Sequence, residues 1–322
     1  MARSRIATRA AAVLTVCAVA IMFAAPVEAV WPGANGKIVF VKVDFSNPGV
    51  PAAQIYSMNR NGGNQRNLSA AGGGGDQVDI QPSVSPDGKR IAFARLDQAT
   101  FSAQLWTMRI DGSQQTDISN DAALASESGP AWTEDGSKVL FVKQPPGSFP
   151  GEGGSIWIRR ANGEGTPRQV TTGARDANPA MSPDGDLIAF SRPPAGGGPR
   201  HLFVMQADGD DTPRDLGQGA KPDWSPDSKR IVYGQAGTGP IMVVTVSNPS
   251  QTQTLTGPFN EAPVWSPDGK KIVYMDCTSG RSCQIAVMTA TGGNQHDITN
   301  DATMANQKPD WQAHPGGGED GD

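Results

Sequence analysis

The stretch Pro263-Val264-Trp265-Ser266-Pro267-Asp268-Gly269-Lys270-Lys271-Ile272-Val273-Tyr274 decides the fold. Its centre is a turn by chemistry. Pro presets φ, Asp folds its side chain onto the local backbone, and Gly takes a conformation other residues resist. An apolar run follows, so the segment reads strand, tight turn, strand. The unit recurs along the chain. Pro82 precedes Ser85-Pro86-Asp87-Gly88 and Ile91-Ala92-Phe93, and Pro130 precedes Thr133-Glu134-Asp135-Gly136 and Val139-Leu140-Phe141. Pro179 precedes Ser182-Pro183-Asp184-Gly185 and Ile188-Ala189-Phe190. Pro222 leads to Trp224-Ser225-Pro226-Asp227-Ser228 and Ile231-Val232-Tyr233, and Pro309 opens a last copy with Asp310-Trp311-Gln312.

Successive prolines lie 48, 49, 43, 41 and 46 residues apart, the length of one four-stranded propeller blade. Third strands follow at Ile55-Tyr56, Leu105-Trp106, Ile156-Trp157, Leu202-Phe203, Ile241-Met242 and Ile285-Ala286. Gly-containing turns then lead to short fourth strands such as Asp297-Ile298-Thr299. The N-terminal part supplies a second strand, Lys37-Ile38-Val39-Phe40, with a third and a fourth; the missing first strand stands around Pro309 to Gln312. The sequence therefore predicts an all-β fold, a six-bladed β-propeller of four-stranded blades over residues 30–313. Its ring is closed by the C-terminal strand joining the N-terminal blade, which removes exposed sheet edges. Trp132, Trp224, Trp265 and Trp311 share one repeat position and are expected to pack between neighbouring blades.

Composition agrees. Among 322 residues, 39 Gly and 26 Pro, with only 18% charged residues, exclude a helical bundle or coiled coil. Seven Trp argue against disorder. Arg3, Arg5 and Arg9, the apolar run from Ala10 to Ala25, Pro26 and Val27-Glu28-Ala29 read as a signal peptide over 1–29. The run is 16 residues, short of a permanent bilayer span. The exported chain is thus expected in the periplasm, cell envelope or exterior, as a monomer without a membrane span and with a flexible tail at 314–322. Net charge is −5, and −7 once the leader is removed. Without Lys/Arg clusters, that excludes a nucleic-acid partner. Cys277 and Cys283 remain as a pair in an oxidising compartment and are expected to form a disulfide across a hairpin tip.

The Ser-Pro-Asp-Gly-Lys turn followed by an apolar strand resembles the WD-like repeat of TolB-type propellers, over nearly the whole exported chain. The resemblance is to the propeller alone and does not extend to the α/β domain that TolB carries ahead of it. It implies a non-enzymatic scaffold of the cell envelope that binds a protein or peptide partner at the propeller face. The Gly/Pro-rich loops Asn47 to Ala53, Ala70 to Gln77 and Pro145 to Gly154 are placed to reach such a partner.

Chemistry is sparse in the sequence. There is no Gly-x-Ser-x-Gly elbow, and His201, His296 and His314 stand at different repeat positions, so no catalytic residue is assigned. Asp208-Gly209-Asp210-Asp211 occupies an ordinary turn position. One constellation stands out. Three residues before each repeat Pro come Asp79, Glu127, Asp176, Gly219, Asn260 and Asn306, with Glu261 beside Asn260. Six-fold geometry is expected to converge these on one channel mouth, where the chain enters each innermost strand. No cofactor is otherwise implied. Such a ring would suit Ca²⁺, held chiefly by Asp79, Glu127 and Asp176, or a peptide amine or basic side chain. The alternative function is a cation-dependent propeller hydrolase or lyase using that funnel.

Overall fold

Six sheets of four antiparallel strands make up the computed structural model, which describes residues 32–44, 52–70, 77–119, 125–146, 148, 153–209, 212–235, 239–279 and 282–314. The segment read as a leader at 1–29, the residues of the expected tail from 315, Asp210-Asp211 and the middles of the three long loops lie outside the described residues.

Each sheet is one blade, its strands running outward in chain order. Blade 2 shows the pattern: Gln77–Val84 innermost, then Arg90–Asp97, Ser102–Arg109 and Thr116–Asp117. The innermost strands of blades 3 to 6 are Ser126–Trp132, Ala177–Met181, Ala220–Trp224 and Asn260–Trp265. Blade 1 joins both ends of the chain. Met304–His314 lies innermost and pairs antiparallel with Ala34–Asp44, followed by Ala52–Met58 and Arg66–Asn67. Trp311 stands opposite Ile38, and Asp310 opposite Val39.

The core is divided among the junctions between blades. Ile38, Phe40 and Met58 of blade 1 pack with Val273, Met275, Ile285 and Val287 of blade 6, around Trp311. Val39, Ile55 and Leu68 of blade 1 pack with Val84, Ile91, Phe93 and Met108 of blade 2. The same holds at the other four junctions, so the apolar seam runs round the whole ring. Each repeated Trp reaches back to the preceding blade. Trp132 Nε1 donates to the Ser83 carbonyl at 2.9 Å, and Trp224 Nε1 to that of Ala180 at 3.1 Å.

The turns work as the sequence predicts. In blade 2 the Ser85 hydroxyl donates to Asp87 Oδ1 at 2.6 Å, and the Gly88 amide to the Ser85 carbonyl at 2.8 Å. Gly88 has φ +67°, and a Cβ there would fall 2.0 Å from the Ala313 carbonyl of the closing strand. The turn glycine is therefore also a close approach between blades. The Cys277–Cys283 disulfide is formed, and the Cys283 carbonyl accepts the Asn306 amide of the closing strand at 2.9 Å.

Two features differ from the sequence reading. Most fourth strands are only two residues long, as in His296–Asp297, because an outermost strand is an edge that natural sheets keep short. Blades 4 and 5 are the exceptions, with Arg214–Gln218 and Asn248–Thr254, both mostly exposed and so without a legible apolar alternation. Second, every innermost strand carries a bulge at its Pro. The preceding residues Gln81, Gly129, Asn178, Lys221, Ala262 and Lys308 all take positive φ, between 48° and 59°. The strand registers shift at these points in blades 2 to 6, and between Val39 and Val41 in blade 1. A proline has no N–H to leave unpaired, so it suits an edge that faces the channel.

Candidate functional site

The ring of bulges surrounds a central cavity of about 200 Å³. It is lined by the residue before each repeat Pro, the Pro itself and the residue after, and it extends toward the turn prolines Pro183, Pro226 and Pro267. Prolines 82, 130, 179, 222, 263 and 309 are buried, while their neighbours on either side are partly open to the cavity, Ala262 excepted.

Charge is confined to one side. Blades 5 and 1 both carry Lys-Pro-Asp-Trp, at 221–224 and 308–311, and flank blade 6. Blades 2 to 4 present Gln81 and Ser83, Gly129 and Ala131, and Asn178 and Ala180. Lys221 forms an ion pair with Glu261 of blade 6. Burial, and secondly the Lys221 charge, bring the Lys308 amine down to about 7. Asp223 accepts the Trp265 amide at 2.7 Å, and Asp310 accepts those of Val84 at 2.6 Å and Trp311 at 2.8 Å. These carboxyls staple blade 5 to 6 and blade 1 to 2. Burial pushes Asp310 up to about 7; burial and then the Asp310 charge push Asp223 up to about 8.

A pH dependence follows. In the fold both carboxyls keep protons that the unfolded chain releases near 3.8, so their contribution to stability falls as pH rises from about 4 through 7 and 8. Lys308 acts oppositely. Its destabilising effect is complete below about 7 and is relieved as pH rises from there toward 10.5. In urea unfolding at pH 5 and pH 8, the wild type is expected to lose stability at the higher pH. The Asp223→Asn/Asp310→Asn variant should lose much of that slope, and an unchanged slope would contradict the assignment.

The residues singled out in the sequence stand elsewhere, and this corrects their expected convergence on one funnel. Asp79 makes a bidentate pair with Arg95, at 2.7 and 2.9 Å. Glu127 pairs with Arg159 at 2.6 Å and accepts the Ser119 hydroxyl at 2.7 Å. Asp176 pairs with Arg192 at 2.5 and 2.9 Å. All three carboxylates are buried, and each arginine stacks on aromatic rings of its own blade, as Arg95 does on Trp106 at 4.4 Å. Their charge is thus taken up inside blades 2, 3 and 4. In blade 5 the position is Gly219, where a Cβ would fall 2.5 Å from the Tyr233 ring. Asn260 donates to the Gly257 and Pro258 carbonyls, and Asn306 to Gln284 Oε1 and Asp301 Oδ2. Only Glu261 reaches a cavity residue, through Lys221. Among the described residues no group of three or more His, Cys, Asp or Glu comes together.

The physical reason is the bulge. In a regular strand, period two puts the residues three and one before the Pro on the same side. The extra residue breaks that parity and re-aims the later one into the channel. The residues that line the cavity were nonetheless marked in the sequence by the duplicated Lys-Pro-Asp-Trp.

No family model matches the chain. An uncharacterized protein of Agrobacterium fabrum is 30% identical over 161 residues, 46% of this chain and 52% of its own length. A TolB homolog of Chlorobium luteolum is 28% identical over 140 residues, 42% of this chain and 28% of its own length. The chain thus spans about half, or less, of the curated relatives it matches. TolB from Acinetobacter baumannii superposes with a TM-score of 0.69 at 17% identity, over 86% of this chain and 66% of that one, a likeness of fold. On its repeats, its closed ring of blades and these likenesses, the chain is a TolB-like six-bladed β-propeller.

Proposed function

We propose that this propeller is a non-enzymatic binding scaffold of the cell envelope, exported by its leader, that takes a segment of a protein partner in its central channel. The observation that carries the reading is the one-sided cavity. Six rigid strands present charged Lys-Pro-Asp segments on one wall and neutral polar and small residues on the other. Sites with a few polar groups set in apolar walls on rigid elements bind with defined orientation. The similarity to TolB supports a scaffold rather than a catalyst, and the Cys277–Cys283 disulfide fits an oxidising compartment.

A diazirine side chain introduced at Ala131, on the cavity wall, tests this in the native envelope. A discrete protein adduct is expected from Ala131 and none from Lys89, which stands exposed on a turn. No adduct from Ala131, or equal adducts from both, would overturn the reading. Turnover of a soluble substrate by the purified chain with a divalent cation would favour the hydrolase or lyase instead.

A further inference from the structure

The ring of residues just before the six prolines is unbalanced in its hydrogen bonding. Lys221 and Lys308 stand at equivalent positions on the cavity wall, and the Lys221 charge acts on the Lys308 amine. Glu261 supplies the counter-charge of Lys221, but Lys308 has no ion-pair partner among the described residues. Asp223 and Asp310 are engaged by backbone amides of the next blades. Across the channel, Gln81 Oε1 accepts the Gly129 amide at 2.8 Å, and Asn178 Oδ1 accepts the Ser191 hydroxyl at 3.1 Å. Both carboxamides have spent their oxygens on the protein and keep their NH₂ groups, which have no protein partner among the described residues. Gly129 and Ala262 complete the ring without polar side chains. Four side chains of the ring thus offer donors around one cavity, while the carboxylates beside them, Glu261, Asp223 and Asp310, are engaged by Lys221 and by backbone amides.

A ring whose side chains hold donors still to be met, its neighbouring carboxylates being already engaged, fits a ligand with acceptors and no donors, and an ionised carboxylate is such a group. Resting on the partner-segment reading above, we infer that this ring is a subsite for a carboxylate of the bound segment. Lys308 and Lys221 hold the charge, and Gln81 and Asn178 complete the hydrogen bonds. The carboxylate is either a chain terminus or an Asp or Glu side chain. A carboxylate beside Lys308 also restores the proton that burial removes, so binding above pH 7 takes up a proton.

Calorimetric titration of the purified chain at pH 8, in two buffers of different ionisation enthalpy, tests the subsite with three probes. These are acetyl-Gly-Ala-Ala as the free acid, the same peptide as its amide, and acetyl-Ala-Glu-Ala-amide. At least one carboxylate peptide is expected to bind at least about tenfold more tightly than the neutral amide, with uptake approaching one proton. Preference for the free acid identifies a terminus, and preference for the Glu peptide identifies a side chain. Lys308→Gln should erase both the preference and the uptake. Lys308→Arg should keep the preference with the uptake reduced to what Asp223 and Asp310 contribute, an outcome that a merely structural lysine would not produce. Binding of all three peptides within twofold, no measurable binding, or a preference that survives in Lys308→Gln overturns the inference. The two readings fail separately. An Ala131 adduct that persists in Lys308→Gln leaves the scaffold standing without this subsite, and a carboxylate preference without any adduct does the reverse.

Discussion

Deleting residues 308–322 is expected to abolish the cooperative thermal transition, or to lower its midpoint by more than about 15 °C. The deletion removes most of the innermost strand of blade 1, including Trp311, which is 5% exposed and packs against both blade 1 and blade 6. Replacing one such aromatic by Ala alone costs about 3–5 kcal/mol, against a total stability of about 5–15 kcal/mol for an ordinary domain. Asp310 goes as well, and with it the staple to the Val84 amide of blade 2. The fully buried Ile38 and Phe40 would then lie under an open sheet edge. Calorimetry on the truncated chain measures the effect. A melt within a few degrees of the wild type would show that the ring does not depend on this strand, and Trp311→Ala should fall between the two.

Glu127→Ala is expected to cost about 3–5 kcal/mol, because it leaves a buried cation behind. Arg159 is 5% exposed and Glu127 fully buried. The Arg159 guanidinium also donates to the carbonyls of Ile118 and Ser119 in blade 2 and lies 4.7 Å from the Phe141 ring centre. It therefore cannot swing to solvent without opening a blade junction. The double variant Glu127→Ala/Arg159→Met should recover much of the loss, since the charge itself is removed and an apolar chain of similar length fills the space. Urea unfolding of the two variants separates the cases. A single variant that loses less than about 1 kcal/mol would mean that the pair is not a buried structural element. The same pairing explains why this carboxylate does not face the channel.

The blades were legible because the turns announce themselves chemically and recur at a nearly constant interval. Ser85, Pro86, Asp87 and Gly88 carry out the hydrogen bonding expected of them, and the copies at Ser182, Ser225 and Ser266 repeat it. The Trp position was readable for a similar reason, since a large apolar ring repeated once per blade has to be buried somewhere between blades. The fourth strands were less legible, because a two-residue edge such as Thr116–Asp117 has no periodicity to detect. In the site, the acid before each strand looked like a funnel residue as long as strands were taken as regular.

Local sequence thus determined the number of blades, the turns, the closing strand and the cysteine pair, all of which depend on residues near one another or on a simple repeat. The tertiary structure alone decided which polar residues meet. Arg95 and Arg192 lie 16 residues from the carboxylates they neutralise, whereas Glu127 is met by Arg159, 32 residues away, so the spacing does not carry from blade to blade. The bulge at each Pro then turns Lys221 and Lys308 inward, 87 residues apart in the chain, to face one cavity. Side-chain direction there is set by backbone parity and ring closure together, and both are properties of the folded ring.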